Sequence, residues 1–262
     1  MINPKNKIPT RLLILATGIG LTFFSAVRTL GADGAPPPPP PKWESVAQLG
    51  VTLTRGNSEN FLLNAGINST RKWPKDELLL GASFAYGETE SQVGTNSVTT
   101  KTDDYLKGFA QWNHLFSDRW YGGLRVEGVH DDIADVYYRF TFSPLVGYYF
   151  IKQTNVFLSL EVGPSYVLEN VGGDEDSYLA ARIGQRFEYK FKNGAKIWET
   201  LEFVPQVDDF ENWILTAEIG IAAPITKALD IRLIAQDTYD NQPAPNREEN
   251  DFKLIAGVGY KF

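Results

Sequence analysis

The sequence lacks cysteine entirely and has only two histidines among its 262 residues. The absence of cysteine excludes a disulfide framework, a thiolate metal site, a cysteine nucleophile and an N-terminal lipoprotein anchor. Basic residues are also in the minority, because 25 lysines and arginines stand against 32 aspartates and glutamates and leave a net charge of −7. Nucleic acids are bound by basic surfaces, so we expect no nucleic-acid partner.

The beginning of the chain resembles an export signal. Lys5, Lys7 and Arg11 precede a short apolar run, and small residues follow that run. This order predicts a signal peptide over residues 1–34 that is removed on secretion, with its cleavage site left open. A transmembrane anchor is the weaker alternative, because the apolar run is shorter than the roughly 20 residues that span a bilayer.

A run of six prolines follows the predicted signal, at residues 36–41. Consecutive prolines have no backbone donors and favour an extended polyproline II conformation. We therefore predict a periplasmic linker over residues 35–42 and a folded domain over residues 43–262.

The rest of the chain suits one all-β domain, with 13% aromatic residues and 23 glycines. From residue 43 onward, apolar and polar residues alternate with a period of two, which is typical of half-buried strands. Short turns alternate with longer polar connections, the latter expected at residues 90–102, 130–136, 170–176, 207–211 and 240–250. About twelve strands joined in this way predict an antiparallel transmembrane up-and-down β-barrel of the bacterial outer membrane.

The charged residues decide which face of the strands meets lipid. An arginine facing lipid at the bilayer midplane costs about 2–4 kcal/mol, so we predict that the charged phase lines the lumen: Arg125, Glu127, Arg139, Glu161, Arg182, Arg186, Glu188, Glu218, Arg232 and Lys253. The segment at residues 197–204 resists this scheme, because Glu199 and Glu202 lie on opposite phases.

A soluble sandwich or a lipocalin-like barrel is the rival architecture, since it shows the same period with the apolar face inward. The export signal, the length of the strands and aromatic residues near strand ends, such as Trp73 and Trp120, favour the membrane.

Three stretches carry a family resemblance: LTRGNSEN at residues 53–60, RVEGVHDDIADVYYRFTFSPLVGYYF at residues 125–150 and the terminal GVGYKF. They resemble the YdiY-like family of salt-induced outer-membrane proteins, whose molecular function is unknown. The resemblance implies an outer-membrane barrel with a link to salt or osmotic stress, and it implies no catalytic residues. The ending also resembles the signal that barrel-assembly machinery reads, with Gly257, Tyr260 and Phe262 in matching positions and Ile255 where a polar residue is expected.

One loop carries the residues of an alternative function. His130 stands close to Asp131, Asp132 and Asp135 in HDDIAD, and such a group in outward loops is compatible with an outer-membrane hydrolase of lipid or peptide. A solvated loop is the favoured interpretation.

The sequence therefore predicts a non-enzymatic structural barrel or a narrow polar channel. The expected partners are outer-membrane lipid, lipopolysaccharide, the assembly machinery and small polar solutes or ions. We expect no metal and no cofactor.

Overall fold

The computed structural model of the chain describes residues 42–54, 58–93 and 96–262. The predicted signal peptide and all but the last residue of the predicted linker lie outside the described residues. Twelve antiparallel strands form one closed barrel, in which each strand pairs with the next and β12 pairs with β1. This confirms the predicted fold class. The described part of the chain contains no helix long and apolar enough to cross a membrane.

The strands differ in length from 10 to 20 residues. Their bounds are β1 Trp43–Thr54, β2 Ser58–Lys72, β3 Asp76–Val93, β4 Asn96–Leu115, β5 Trp120–Asp131, β6 Val136–Lys152, β7 Val156–Val171, β8 Asp174–Lys190, β9 Lys196–Pro205, β10 Trp213–Pro224, β11 Leu229–Asp240 and β12 Asn250–Lys261.

The alternation of the sequence becomes two faces of the wall. Leu106, Leu179 and Leu254 are 55%, 60% and 60% exposed on the outside, whereas Glu127 and Arg182 on the opposite phase are buried. Successive side chains of a strand point to opposite faces, so a closed wall places one phase outward and one inward. The barrel is apolar outside and charged inside, which inverts the arrangement of a soluble β-barrel.

The two ends of the barrel are built differently. At the end where β1 starts and β12 stops, here called the turn end, strands are joined by connections of three to five residues. At the opposite end, here called the loop end, two connections are longer, at residues 206–212 and 241–249. The barrel is thus most elaborated at its loop end.

Two of the predicted loops are wrong, because the structure makes strands of them. β3 and β4 run through most of residues 90–102 and pair over 18 residue pairs. β7 and β8 likewise cover most of residues 170–176 and turn at Gly172 and Gly173, whose φ angles are 62° and 91°. Two glycines with positive φ permit a two-residue hairpin, so no longer loop is needed there.

Glycines on the inward phase make room for large aromatic rings. A Cβ atom at Gly147 would overlap the ring of Tyr121, and one at Gly220 would overlap the ring of Trp198. Tyr121 stacks on Tyr149, with ring centroids 4.6 Å apart. Small residues opposite large ones let the interior of a barrel be filled by side chains, and these glycines leave the space that the inward-facing rings of Tyr121 and Trp198 occupy.

Pairing between β8 and β9 is incomplete. The two strands pair from Lys190 with Lys196 as far as Ile183 with Phe203. Towards the loop end, β8 continues to Asp174 while β9 ends at Pro205. The wall therefore has a gap on this side of β8.

Candidate functional site

The densest set of charges lies inside the barrel, midway along the strands. We call it the central network, and its members come from β4, β5, β7, β8 and β9: Lys107, Gln111, Arg125, Glu127, Glu161, Arg182 and Glu202.

Arg182 connects two strands through a single guanidinium. Its Nη1 donates to Glu161 Oε2 at 3.0 Å and its Nη2 donates to Glu202 Oε2 at 2.7 Å. Gly184 pairs with both glutamates across the sheet, and a Cβ atom there would lie only 3.0 Å from Arg182 Nη2. Gly184 leaves the space in which this bridge forms.

Two contacts carry the central network across the interior. Gln111 on β4 donates to Glu161 on β7 at 2.7 Å, and Arg125 Nε on β5 lies 3.8 Å from Glu202 Oε2 on β9. β4 and β7 lie three strands apart and β5 and β9 lie four strands apart, so the side chains of each pair meet within the lumen. The contacts narrow the path through the barrel.

The charges of the central network balance. Arg125 donates to Glu127 at 2.5 Å, Lys107 lies 2.6 Å from the same carboxylate, and Arg182 holds the other two. Three cations thus face three carboxylates, and their side chains are between 5% and 21% exposed. Buried ions are tolerated when they are paired and hydrogen-bonded, and nearly every group here meets that condition. Within the central network, the exceptions are the Nε atoms of Arg125 and Arg182, which are buried and have no hydrogen-bond partner among the described residues.

A second layer of ion pairs lies nearer the loop end. Arg139 on β6 donates to Glu169 on β7, and its Nη2 donates to Asp240 on β11 at 3.0 Å. Lys253 on β12 lies 2.7 Å from Asp103 on β4. Both cross-lumen pairs join strands that are not neighbours, so the lumen is bridged at a second level.

A third contact lies at the loop end itself. Arg247, in the β11–β12 connection, contacts Asp135 in the β5–β6 turn at 2.7 Å through Nε and 2.6 Å through Nη2. Ala244 of the same connection is 3% exposed, and a Cβ atom at Gly172 would lie 3.1 Å from Pro245. We call the Arg247 to Asp135 contact the loop clasp, because it ties two loop-end connections together.

The predicted charges nearer the turn end form separate groups. Glu188 is surrounded by Arg186, Lys190 and Lys196 at 3.7, 3.3 and 3.2 Å. Glu218 accepts hydrogen bonds from Trp198 Nε1 at 2.6 Å and from Gln236 at 2.8 Å.

Arg232 belongs to another group at the turn end. It donates to Asp230 at 2.6 Å and to Gln48 at 3.3 Å. Each of the ten predicted charges therefore has at least one polar or ionic contact, and they divide among several groups instead of forming one site.

The sequence did not predict the inward position of Glu202, which contacts both Arg182 and Arg125 in the central network. Glu202 shares its phase with buried Trp198 and points inward to Arg182, whereas Glu199 lies on the phase of Leu201, which is 37% exposed. Residues 197–204, which the alternation left unresolved, therefore form an ordinary strand of the wall. Glu202 lies on its inner face and Glu199 on its outer face. Trp198 on the phase of Glu202 is as apolar as Leu201 on the other phase, so the segment alone gives no signal, and it is the pairing of Glu202 with Gly184 on β8 that places it inside.

The residues of the alternative hydrolase do not converge. His130 Nδ1 lies 2.9 Å from the carbonyl of Tyr137, and Asp131 accepts from the N–H groups of Ile133 and Ala134 at 3.0 Å. Asp135 is held by Arg247 in the loop clasp.

Asp132 is drawn towards a neighbouring strand. It accepts from Lys101 at 2.9 Å, and the same lysine contacts Asp104 at 2.7 Å. This hydrogen bond and the positive charge lower the pKa of Asp132. Among the described residues, no group of three or more His, Asp or Glu side chains is arranged to hold a metal ion.

The last residues of the chain complete the wall. Gly257 pairs with Arg232 on β11, and Tyr260 and Phe262 are 52% and 61% exposed with their rings 5.9 Å apart. Phe262 exchanges two backbone hydrogen bonds with Ser45, at 3.0 and 3.1 Å. An assembly role for these residues stays a prediction.

Comparison with known proteins identifies the family. Residues 47–262 match a family model described as "Protein of unknown function, DUF481". The chain belongs to the DUF481 family. The resemblance to the YdiY-like family is thereby confirmed. No curated protein matches this DUF481 chain in sequence.

Several solved structures resemble this DUF481 barrel. The NanC porin matches with a TM-score of 0.50 at 10% identity, over 84% of this chain and 100% of that chain. The translocator domain of autotransporter NalP from Neisseria meningitidis has a TM-score of 0.45 at 15% identity, over 84% and 87%. The KdgM porin has a TM-score of 0.42 at 10% identity, over 83% and 99%. At 10% identity, the likeness to the NanC porin shows the fold alone.

Proposed function

We propose that this DUF481 protein spans the bacterial outer membrane and conducts small polar solutes or ions through a narrow, charged lumen. The loop end would face the outside and the turn end the periplasm. Outer-membrane lipid and lipopolysaccharide would surround the apolar wall, and barrel-assembly machinery would insert it.

The cross-lumen contacts of the central network carry the proposal. A porin leaves a wide aqueous channel inside its wall, but here Gln111 reaches Glu161 and Arg125 approaches Glu202 across the interior. A solute must pass beside these side chains or displace them. Rings of fixed charge and constrictions of this kind select small solutes.

Single-channel recording tests the proposal. The purified full-length protein, inserted in planar lipid bilayers, is expected to give small conductance steps. Arg125→Ala removes the side chain that approaches Glu202 across the lumen. The conductance steps of this variant are expected to be at least about twofold larger than those of the parent, because less of the lumen is filled.

Arg186→Ala is the matched control. Arg186 is also an arginine of the predicted lumen set, but its side chain is 44% exposed and lies 3.7 Å from its partner Glu188. Its removal is expected to leave the steps unchanged. Large porin-like steps in the parent would contradict a narrow lumen. Absence of current in both the parent and Arg125→Ala would instead support a purely structural barrel.

A further inference from the structure

A cleft of about 420 Å³ opens on the side of the barrel wall where β9 ends and β8 continues. Its apolar part comes from Tyr166 on β7, Leu179 on β8 and Val207 after β9, which are 42%, 60% and 52% exposed. Asp176 and Asp208 supply carboxylates to its lining. Asp176 lies on the inward phase of β8 and pairs with Glu169, whereas Leu179 lies on the outward phase and pairs with Tyr166. Beyond the end of β9 the cleft therefore reaches both faces of the wall, with Leu179 on its outer, apolar side and Asp176 on its inner, acidic side.

The incomplete pairing of β8 and β9 explains why the cleft exists. Between Ile183 and the start of β8 at Asp174, the contacts of β8 on this side within the described residues are a bridge between Ala180 and Gln206 and a hydrogen bond from Val207 N–H to the Leu179 carbonyl, 2.9 Å long. No described strand lies beside residues 174–178 on this side. The cleft occupies the space that a longer β9 would fill.

The acidic part of the cleft is not neutralised within the described residues. Asp176 accepts from the N–H of Ser177 at 2.7 Å, and Asp208 accepts from the side-chain amide of Gln206 at 2.9 Å. Both donors are neutral, no lysine or arginine lines the cleft, and neither carboxylate has an ion-pair partner in the part of the chain that is described. A positive charge placed here would be attracted to two carboxylates.

We propose that this cleft binds a single-chain cationic amphiphile. The hydrocarbon chain lies on Tyr166, Leu179 and Val207, and the positively charged head group lies beside Asp176 and Asp208. The volume falls within the range of about 300–1,000 Å³ that is usual for small-molecule sites. An anionic head group would be repelled, and a simple cation would gain nothing from the apolar surface. The site lies on the wall and does not depend on conduction through the lumen.

The lack of cysteine makes a direct test possible, because Ser177→Cys introduces the only thiol of the chain. Ser177 is exposed and lines the cleft. In the full-length protein reconstituted in phosphatidylcholine vesicles, this thiol is expected to react faster with a cationic methanethiosulfonate than with an anionic one of equal length. Bound decyltrimethylammonium is expected to slow the reaction of this thiol with the cationic reagent. Decyl sulfate, which is anionic, and decyl maltoside, which is uncharged, are expected to leave that rate unchanged.

Two further variants separate the head-group and chain contributions in the Ser177→Cys background. Asp176→Asn with Asp208→Asn is expected to lower the ratio of cationic to anionic rates by about threefold or more and to abolish protection. Val207→Ser is expected to keep that ratio and to weaken protection alone. Both changes lie at exposed positions, so the barrel should still form, which the heat-dependent shift in gel mobility verifies.

Thr100→Cys is the control for location, because Thr100 is exposed on the β3–β4 hairpin at the same end of the barrel. Decyltrimethylammonium is expected to give it no protection. Three results would each overturn the proposal. The first is equal protection of Ser177→Cys and Thr100→Cys by decyltrimethylammonium, and the second is equal protection of Ser177→Cys by all three amphiphiles. The third is a ratio of cationic to anionic rates that is the same with and without Asp176→Asn and Asp208→Asn.

Discussion

The central network and the loop clasp use the same chemistry in opposite surroundings. Arg182 Nη2 lies 2.7 Å from Glu202, and Arg247 Nη2 lies 2.6 Å from Asp135. The Arg182 side chain is 5% exposed, however, and that of Arg247 is 38% exposed. Geometry alone does not set the strength of an ion pair, because an exposed pair competes with water and a buried pair cannot. The two regions should therefore respond very differently to the same kind of change.

The largest effect is expected from Arg182→Met. The substitution leaves Glu161 and Glu202 without their shared cation inside the barrel, and breaking a buried ion pair from one side costs about 3–5 kcal/mol. Urea unfolding of the full-length protein from lipid vesicles, followed by tryptophan fluorescence, measures the loss. The variant is also expected to change the ion selectivity of any current towards cations.

A compensated variant sharpens this result. Arg182→Met combined with Glu161→Gln and Glu202→Gln also removes the two carboxylates that lost their cation, and we expect it to recover part of the lost stability. The recovery is incomplete because Lys107 and Arg125 then share Glu127 as the one carboxylate left in the central network. If the triple variant is as unstable as Arg182→Met alone, the loss comes from packing around Gly184 and not from charge.

The two regions also differ in how far the sequence predicted them. The inward phase of Arg182 followed from the cost of a charge in lipid, and the structure gives it buried ionic partners. Its partner Glu202 escaped prediction because β9 carries carboxylates on both phases, and only the neighbouring strands decide which one faces the lumen. Alternation fixes a face of a strand, but it does not fix the partner across the barrel.

The loop clasp could not be predicted in the same way. Asp135 and Arg247 are 112 residues apart and lie in connections that have no periodicity. Their contact depends on closure of the barrel and on the path of the β11–β12 connection. The sequence grouped Asp135 with His130 instead, since it shows neighbours along the chain and not neighbours in space.

A smaller effect is expected when the loop clasp is removed. Asp135 has a φ of 55°, and asparagine tolerates this conformation, so Asp135→Asn removes the charge without straining the turn. Exposed pairs contribute about 1 kcal/mol or less; hence the unfolding curve should move little. Hydrogen exchange of the 241–249 backbone should rise in the variant, and high salt should raise it in the parent, because salt screens exposed charges. Unchanged exchange in both would show that packing of Ala244 and Pro245, and not the ion pair, holds this connection.

The smallest effect concerns Asp132, whose pair with Lys101 joins the loop end of β4 to the β5–β6 turn. The lysine lowers the pKa of Asp132 below its ordinary value of 3.8. A carboxyl group whose pKa is lowered by folding stabilises the folded state above the ordinary value, and this contribution is lost as the pH falls through the lowered pKa. Carboxyl carbon NMR of the reconstituted protein is therefore expected to show Asp132 titrating below 3.8 at low salt.

Lys101→Gln should return the pKa of Asp132 towards 3.8, and a value at or above 3.8 in the parent would contradict the contact. Because both side chains are at least 40% exposed, 1 M salt should have the same effect as Lys101→Gln, whereas it should leave the buried pairs of Arg182 largely intact.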